Sequence, residues 1–188
     1  MTSVWGGVAV VALAVVVWIT GPLAGAPWSS PLAGSRREAG GTTAALPPEP
    51  VQSFEPEGID HIPLGRTATY RTDPPASGPH YDLVAQPGFY TDRAPSPGFL
   101  VHNLEHGHVV IYYSRSRLSD PARRYLEELT RRYQGAWDAV LAVPRDDDRY
   151  ELILTAWRHI QRLPAFDQSA VDAFLDQFRG RGPERPVR

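Results

Sequence analysis

Apolar positions occur along this chain in three patterns: one long unbroken run, several short runs, and stripes at three- and four-residue spacing. The unbroken run covers residues 4–20, with no charge and no polar face. As a helix rising ~1.5 Å per residue it spans about 25 Å, slightly less than a ~30 Å hydrocarbon core. Residues 21–26 can lengthen it, and Trp5 and Trp18 lie near its two ends, as interfacial tryptophans do. Ala24-Gly25-Ala26 matches a small-x-small cleavage site, but Pro27 directly after the cut disfavours cleavage. The reading is a retained single transmembrane anchor over residues 1–26. The first basic residues are Arg36 and Arg37, both downstream; taken alone they argue for a cytoplasmic C-terminal side. The absent basic flank before the run also fits a start codon upstream of Met1.

Residues 27–58, rich in Pro, Gly, Ser, Thr and Glu, read as a linker with a polyproline stretch at 46–50. A domain is expected over residues 59–180 and a tail over 181–188. Within the domain, His108-Val109-Val110-Ile111-Tyr112-Tyr113 reads as a strand. Asp120-Pro121 opens a helix whose stripe is Ala122, Tyr125, Leu126, Leu129 and Tyr133, with Asp120 as N-cap. Residues 137–143 and 150–157 are apolar runs joined by a polar turn, which predicts an antiparallel hairpin. A last helix starts near Asp167, buries Val171, Phe174, Leu175 and Phe178, and stops at Gly180. Residues 66–71 are a further candidate strand, and the Pro/Gly-rich stretch 73–98 reads as an ordered loop. The expected fold is α+β: one small domain, a mostly antiparallel sheet and two helices, preceded by the transmembrane helix.

Composition narrows the function. A net charge of −2 over 188 residues gives no electrostatic footprint for nucleic acid. The absence of Cys excludes disulfides, Fe–S clusters and thiol nucleophiles, and the single Met disfavours a Cu(I) thioether site. Asp147 and its neighbours lack the spacing of an EF-hand loop and read as a solvated turn.

Histidine is where the chemistry collects. Five of the six histidines are His61, His80, His102, His106 and His108. Imidazole suits Zn²⁺ or Cu²⁺, and a carboxylate can complete such a site. On a helical turn, His102 and His106 share a face; on a strand, His106 and His108 do; Gly107 can switch between the two conformations. These five are the candidate metal ligands. Glu105, Ser77 and Asn103 are candidate supporting residues, Glu105 by orienting a histidine through its ring N–H. A polar network bracing the loop and metal-free acid–base catalysis are the alternatives. His102-Asn103-Leu104-Glu105-His106 also fits the inverted zincin motif H-x-x-E-H, though Gly107 and the strand behind it cut the helix short. Ser77 has no G-x-S-x-G context and reads as a turn residue. His159 stands apart as structural.

Pro74-Pro75-Ala76-Ser77-Gly78-Pro79-His80-Tyr81 and Leu100-Val101-His102-Asn103-Leu104-Glu105-His106-Gly107 resemble a bacterial domain-of-unknown-function family, numbered three-one-zero-five. Further matches are Gly58-Ile59-Asp60-His61, Gly88-Phe89-Tyr90, Thr155-Ala156-Trp157 and Gly182-Pro183-Glu184; together they span most of residues 53–185. Similar proteins read Ala-Trp-Gly-Arg where this chain has Ala156-Trp157-Arg158-His159. The resemblance implies one N-terminal hydrophobic helix and an extracytoplasmic domain. It also places His61, His80, His102, Glu105 and His106 in motifs. It names no reaction. The expectation is therefore a single-pass protein of the cell membrane, held in the bilayer by residues 4–20, whose domain binds a transition metal. A metal-assisted hydrolase with Glu105 as general base, and a non-catalytic envelope interaction module, are the other readings.

Overall fold

The computed structural model describes residues 46–188. The run at 4–20 lies outside the described residues, and among these no helix is long and apolar enough to cross a membrane. In chain order the elements are β1 (Gln52–Ser53), β2 (Gly88–Phe89), α1 (Pro97–Glu105), β3 (Val109–Ser114), α2 (Asp120–Arg132), β4 (Val140–Arg145), β5 (Leu152–Ala156), β6 (His159–Leu163) and α3 (Gln168–Phe178).

Every residue of β3 is buried, because the strand is covered on both faces. Val109, Ile111 and Tyr113 face one core with Leu126 and Leu129 of α2 and Phe174 of α3. Val110 and Tyr112 face a second core with Leu100 and Leu104 of α1, Ala76 and Ala85. Strand alternation thus sorts neighbouring residues between a two-helix layer and a layer made of α1 and the proline loop.

The sheet order is β1-β6-β5-β3-β4-β2. Pairings β1–β6, β6–β5 and β5–β3 are antiparallel, whereas β3–β4 and β4–β2 are parallel. The sheet is therefore mixed, antiparallel in three of its five pairings, and α2 is the crossover of a β3–α2–β4 unit. The expected hairpin of residues 137–143 with 150–157 is corrected. The turn between β4 and β5 reverses the chain, and Asp147 caps it by accepting from the Arg149 and Tyr150 amides. Yet β3 lies between the two strands. A turn signal specifies reversal, not adjacency, and apolar runs buried on both faces leave the partner open.

The hairpin lies one connection later, between β5 and β6, where Ala156 pairs with His159. Its two-residue turn carries Arg158 at φ 68°, in the left-handed region that favours glycine. Residues 66–71 form no strand. Part of the segment read as linker joins the domain: Gln52 and Ser53 pair with β6, and Glu49 N–H donates to the Arg162 carbonyl. The α2 N-cap is Ser119, one residue before the expected Asp120, and Asp167 caps α3 by accepting from the Ala170 amide.

The helix not expected outright is α1. Pro97 occupies its first turn, Leu100, Val101 and Leu104 are buried, and Gly107 at φ 87° stops it. Gly98 lets it dock: a Cβ there would stand 2.8 Å from the Tyr81 ring. The Tyr81 amide donates to the Gly98 carbonyl at 3.1 Å, so the His80–Tyr81 backbone lies against the helix.

Candidate metal centre

Three chain segments carry the centre. His61 and His80 form an isolated parallel bridge, with the Ile62 amide donating to the His80 carbonyl (2.7 Å) and the His80 amide to the Asp60 carbonyl (3.0 Å). His102 and Glu105 come from the last turn of α1. Ser77 braces the first two segments by accepting from the Glu57 amide at 3.0 Å. Gly78, at φ 116°, turns the chain under the Tyr70 ring. The β5–β6 turn closes over this loop: the Arg158 amide donates to the Ala76 carbonyl, and the Trp157 ring stands edge-on to His80 at 6.4 Å.

The His61, His80 and His102 rings form a triangle with centroid separations of 5.0, 5.1 and 4.9 Å. One ligand atom from each, together with one from Glu105, lie within 4.8 Å of one another, so these four residues can hold a metal ion. His80, His102 and Glu105 are buried, whereas His61 is exposed and its Nδ1 stands 3.5 Å from Asp82 Oδ1.

Hydrogen bonding fixes which atoms are free. His80 Nδ1–H donates to the Gly78 carbonyl (2.8 Å) and His102 Nδ1–H to the Tyr81 carbonyl (2.7 Å). Both rings therefore present Nε2 to Glu105, whose Oε2 stands 3.0 Å from His80 Nε2 and 4.0 Å from His102 Nε2. Carbonyl-anchored imidazoles of this kind are typical of metal ligands. Burial, followed by the nearby His106, pushes the His102 pKa down, favouring the neutral ring that a metal requires.

The other sequence candidates fall elsewhere. His106 forms a second group with His102 and Glu184, again with ligand atoms within 4.8 Å. Its Nε2 stands 2.9 Å from Glu184 Oε2, and its ring stacks on Trp137 at 4.2 Å. His108 is corrected as a ligand: its Nε2–H donates to the Ala136 carbonyl (2.8 Å) and its Nδ1 accepts from Asn103 Nδ2 (2.9 Å), so no ring nitrogen remains. Asn103 also bonds both backbone groups of Ala85, pinning the loop to α1 instead of bracing the metal centre. Glu105, expected to orient a histidine, stands among the donors themselves. His159 bonds Ser53 Oγ and stacks on Phe178, away from the group.

Glu184 escaped sequence reasoning because residues 181–188 read as a tail. The segment is fastened to the end of α1: the Gly180 amide donates to the Gly107 carbonyl (2.8 Å). A Cβ on Gly182 would fall 2.0 Å from the Glu105 carbonyl oxygen. The available signal was the Gly182-Pro183-Glu184 match.

The family model described as Protein of unknown function (DUF3105) matches residues 61–188. The chain belongs to that family. No curated protein and no solved structure matches the chain. In this DUF3105 domain the two motifs noted in the sequence, 74–81 and 100–107, meet at the histidine triangle.

Proposed function

We propose that this DUF3105 domain binds one divalent transition-metal ion, Zn²⁺ or Cu²⁺, through His61, His80, His102 and Glu105. One observation carries the reading. With Nδ1 of His80 donating to a carbonyl, its Nε2 faces the Glu105 carboxylate at 3.0 Å, acceptor against acceptor. Some positive charge must lie between them. A proton serves that one pair; a metal ion serves all four donors. Donors ~2.0–2.2 Å from a tetrahedral ion stand about 3.3 Å apart, a value bracketed by the 3.0 and 4.0 Å separations at Glu105.

Glu105 among the donors, rather than beside an open position, favours holding an ion over hydrolysis. The uncharged 4–20 run supports a membrane-tethered protein, and the resemblance to similar sequences supports a domain outside the cell membrane. Such a protein buffers or delivers metal at the envelope. Elemental analysis of the purified chain, with titration of the chelator-stripped chain by Zn²⁺ and Cu²⁺, tests the reading. One ion per chain is expected, and none with either metal contradicts it.

A further inference from the structure

We propose that His106 and Glu184 form a second, transfer position for the ion, sharing His102 with the first; the inference rests on the metal reading above. The His102 and His106 rings stand 4.6 Å apart and nearly perpendicular. Trp137 holds the His106 ring by stacking, and the glycine-fastened C-terminal segment delivers Glu184, whose amide reaches the Glu105 carbonyl at 3.4 Å. The two groups thus share His102, one reaching it through Glu105 and the other through His106, three and four residues further along the chain.

His102 cannot serve two ions. Its Nδ1 is committed to the Tyr81 carbonyl, and a neutral imidazole has one remaining lone pair, at Nε2. The positions are therefore alternatives for one ion, not halves of a binuclear centre. The first has four donors, three of them buried; the second has three, with the Glu184 side chain 47% exposed. The ion rests at the first and passes through the second. During the passage His102 stays bound while the other ligands change, so the ion is never stripped bare. A parallel route of this kind accelerates uptake and release equally and leaves the equilibrium at the resting position unchanged.

The test is Zn²⁺ exchange between the full-length chain and a chromophoric chelator, followed by stopped flow, for wild type, Glu184→Gln and His106→Gln. Glu184→Gln keeps a hydrogen-bonding partner for His106, so it separates loss of the carboxylate from misfolding. Expected are one zinc per chain throughout and affinity within about twofold of wild type. Uptake and release should both be slower by roughly tenfold in the variants. Two zinc ions per wild-type chain would overturn the proposal, as would unchanged rates in Glu184→Gln or a large affinity loss without slower uptake. A wild-type chain that binds no zinc would overturn the metal reading itself, and the transfer position with it.

Discussion

His80 Nε2 lies 3.0 Å from Glu105 Oε2, while the other nitrogen of the same ring donates to the Gly78 carbonyl. Residues 25 positions apart thus meet as a charge-demanding pair. Glu105→Gln replaces the carboxylate by an amide of nearly the same shape that can donate to His80 Nε2. The fold should survive, as judged by far-UV circular dichroism, while Zn²⁺ affinity falls by at least the roughly 10–100-fold that loss of a merely supporting partner costs. Equal affinity in calorimetric titration would remove Glu105 from the donor set.

Bound metal should stabilise the fold, because the unfolded chain has no assembled donor set. At a free-ion concentration a hundredfold above Kd the gain is about 2.7 kcal/mol, a rise in Tm of roughly 5–15 °C for a domain of this size. His80→Ala should abolish the rise. Scanning calorimetry with and without Zn²⁺ measures it, and an equal rise in the variant would place the ion elsewhere.

His108 makes the metal-free domain sensitive to acid. Burial pushes its pKa from 6.5 down to about 4. Between those values the unfolded chain takes a proton that the folded chain refuses. The contribution is thus fully present above pH 6.5 and is lost progressively as pH falls toward 4. It amounts to about 3 kcal/mol. His108→Gln keeps a donor for the Ala136 carbonyl without the titration. Urea unfolding in the presence of chelator should show a flatter stability profile between pH 7 and 5 for the variant than for wild type.

Gly182→Ala should loosen the C-terminal segment. Its Cβ would meet backbone on both sides, 2.0 Å from the Glu105 carbonyl oxygen and 2.2 Å from the Gly107 nitrogen, so no side chain can yield. Hydrogen exchange should rise at the Gly180 and Glu184 amides.

The topology proposal has its own check. A reporter fused after Arg188 should be active in an exported location and sediment with membranes. Activity confined to the cytoplasm would reverse the orientation.

What the sequence conveyed follows from which interactions are local. The β3 run, the α2 and α3 stripes, the Asp167 cap and the Gly180 stop all depend on neighbours within a few residues, and the structure has each in place. Sheet order does not, so the insertion of β3 between β4 and β5 was invisible. The α1 helix hid behind Pro95, Pro97 and Gly98, although a proline in the first turn is itself a start signal. Histidine clustering marked the region where the His61, His80 and His102 rings converge, but not which ring nitrogens were already taken. His108 looks like His102 in sequence; only the Asn103 amide and Ala136 carbonyl distinguish it. Glu184 lay beyond any local pattern, since its place depends on two glycines, 107 and 182, meeting across the fold.

A crystal structure of the zinc-loaded chain, with anomalous differences recorded at the zinc edge, tests the central claim most directly. The account predicts one dominant peak within ~2.0–2.2 Å of His80 Nε2, His102 Nε2, a His61 ring nitrogen and a Glu105 carboxylate oxygen. A map without a peak at this cluster, or a peak whose ligands exclude His80 and His102, would contradict it.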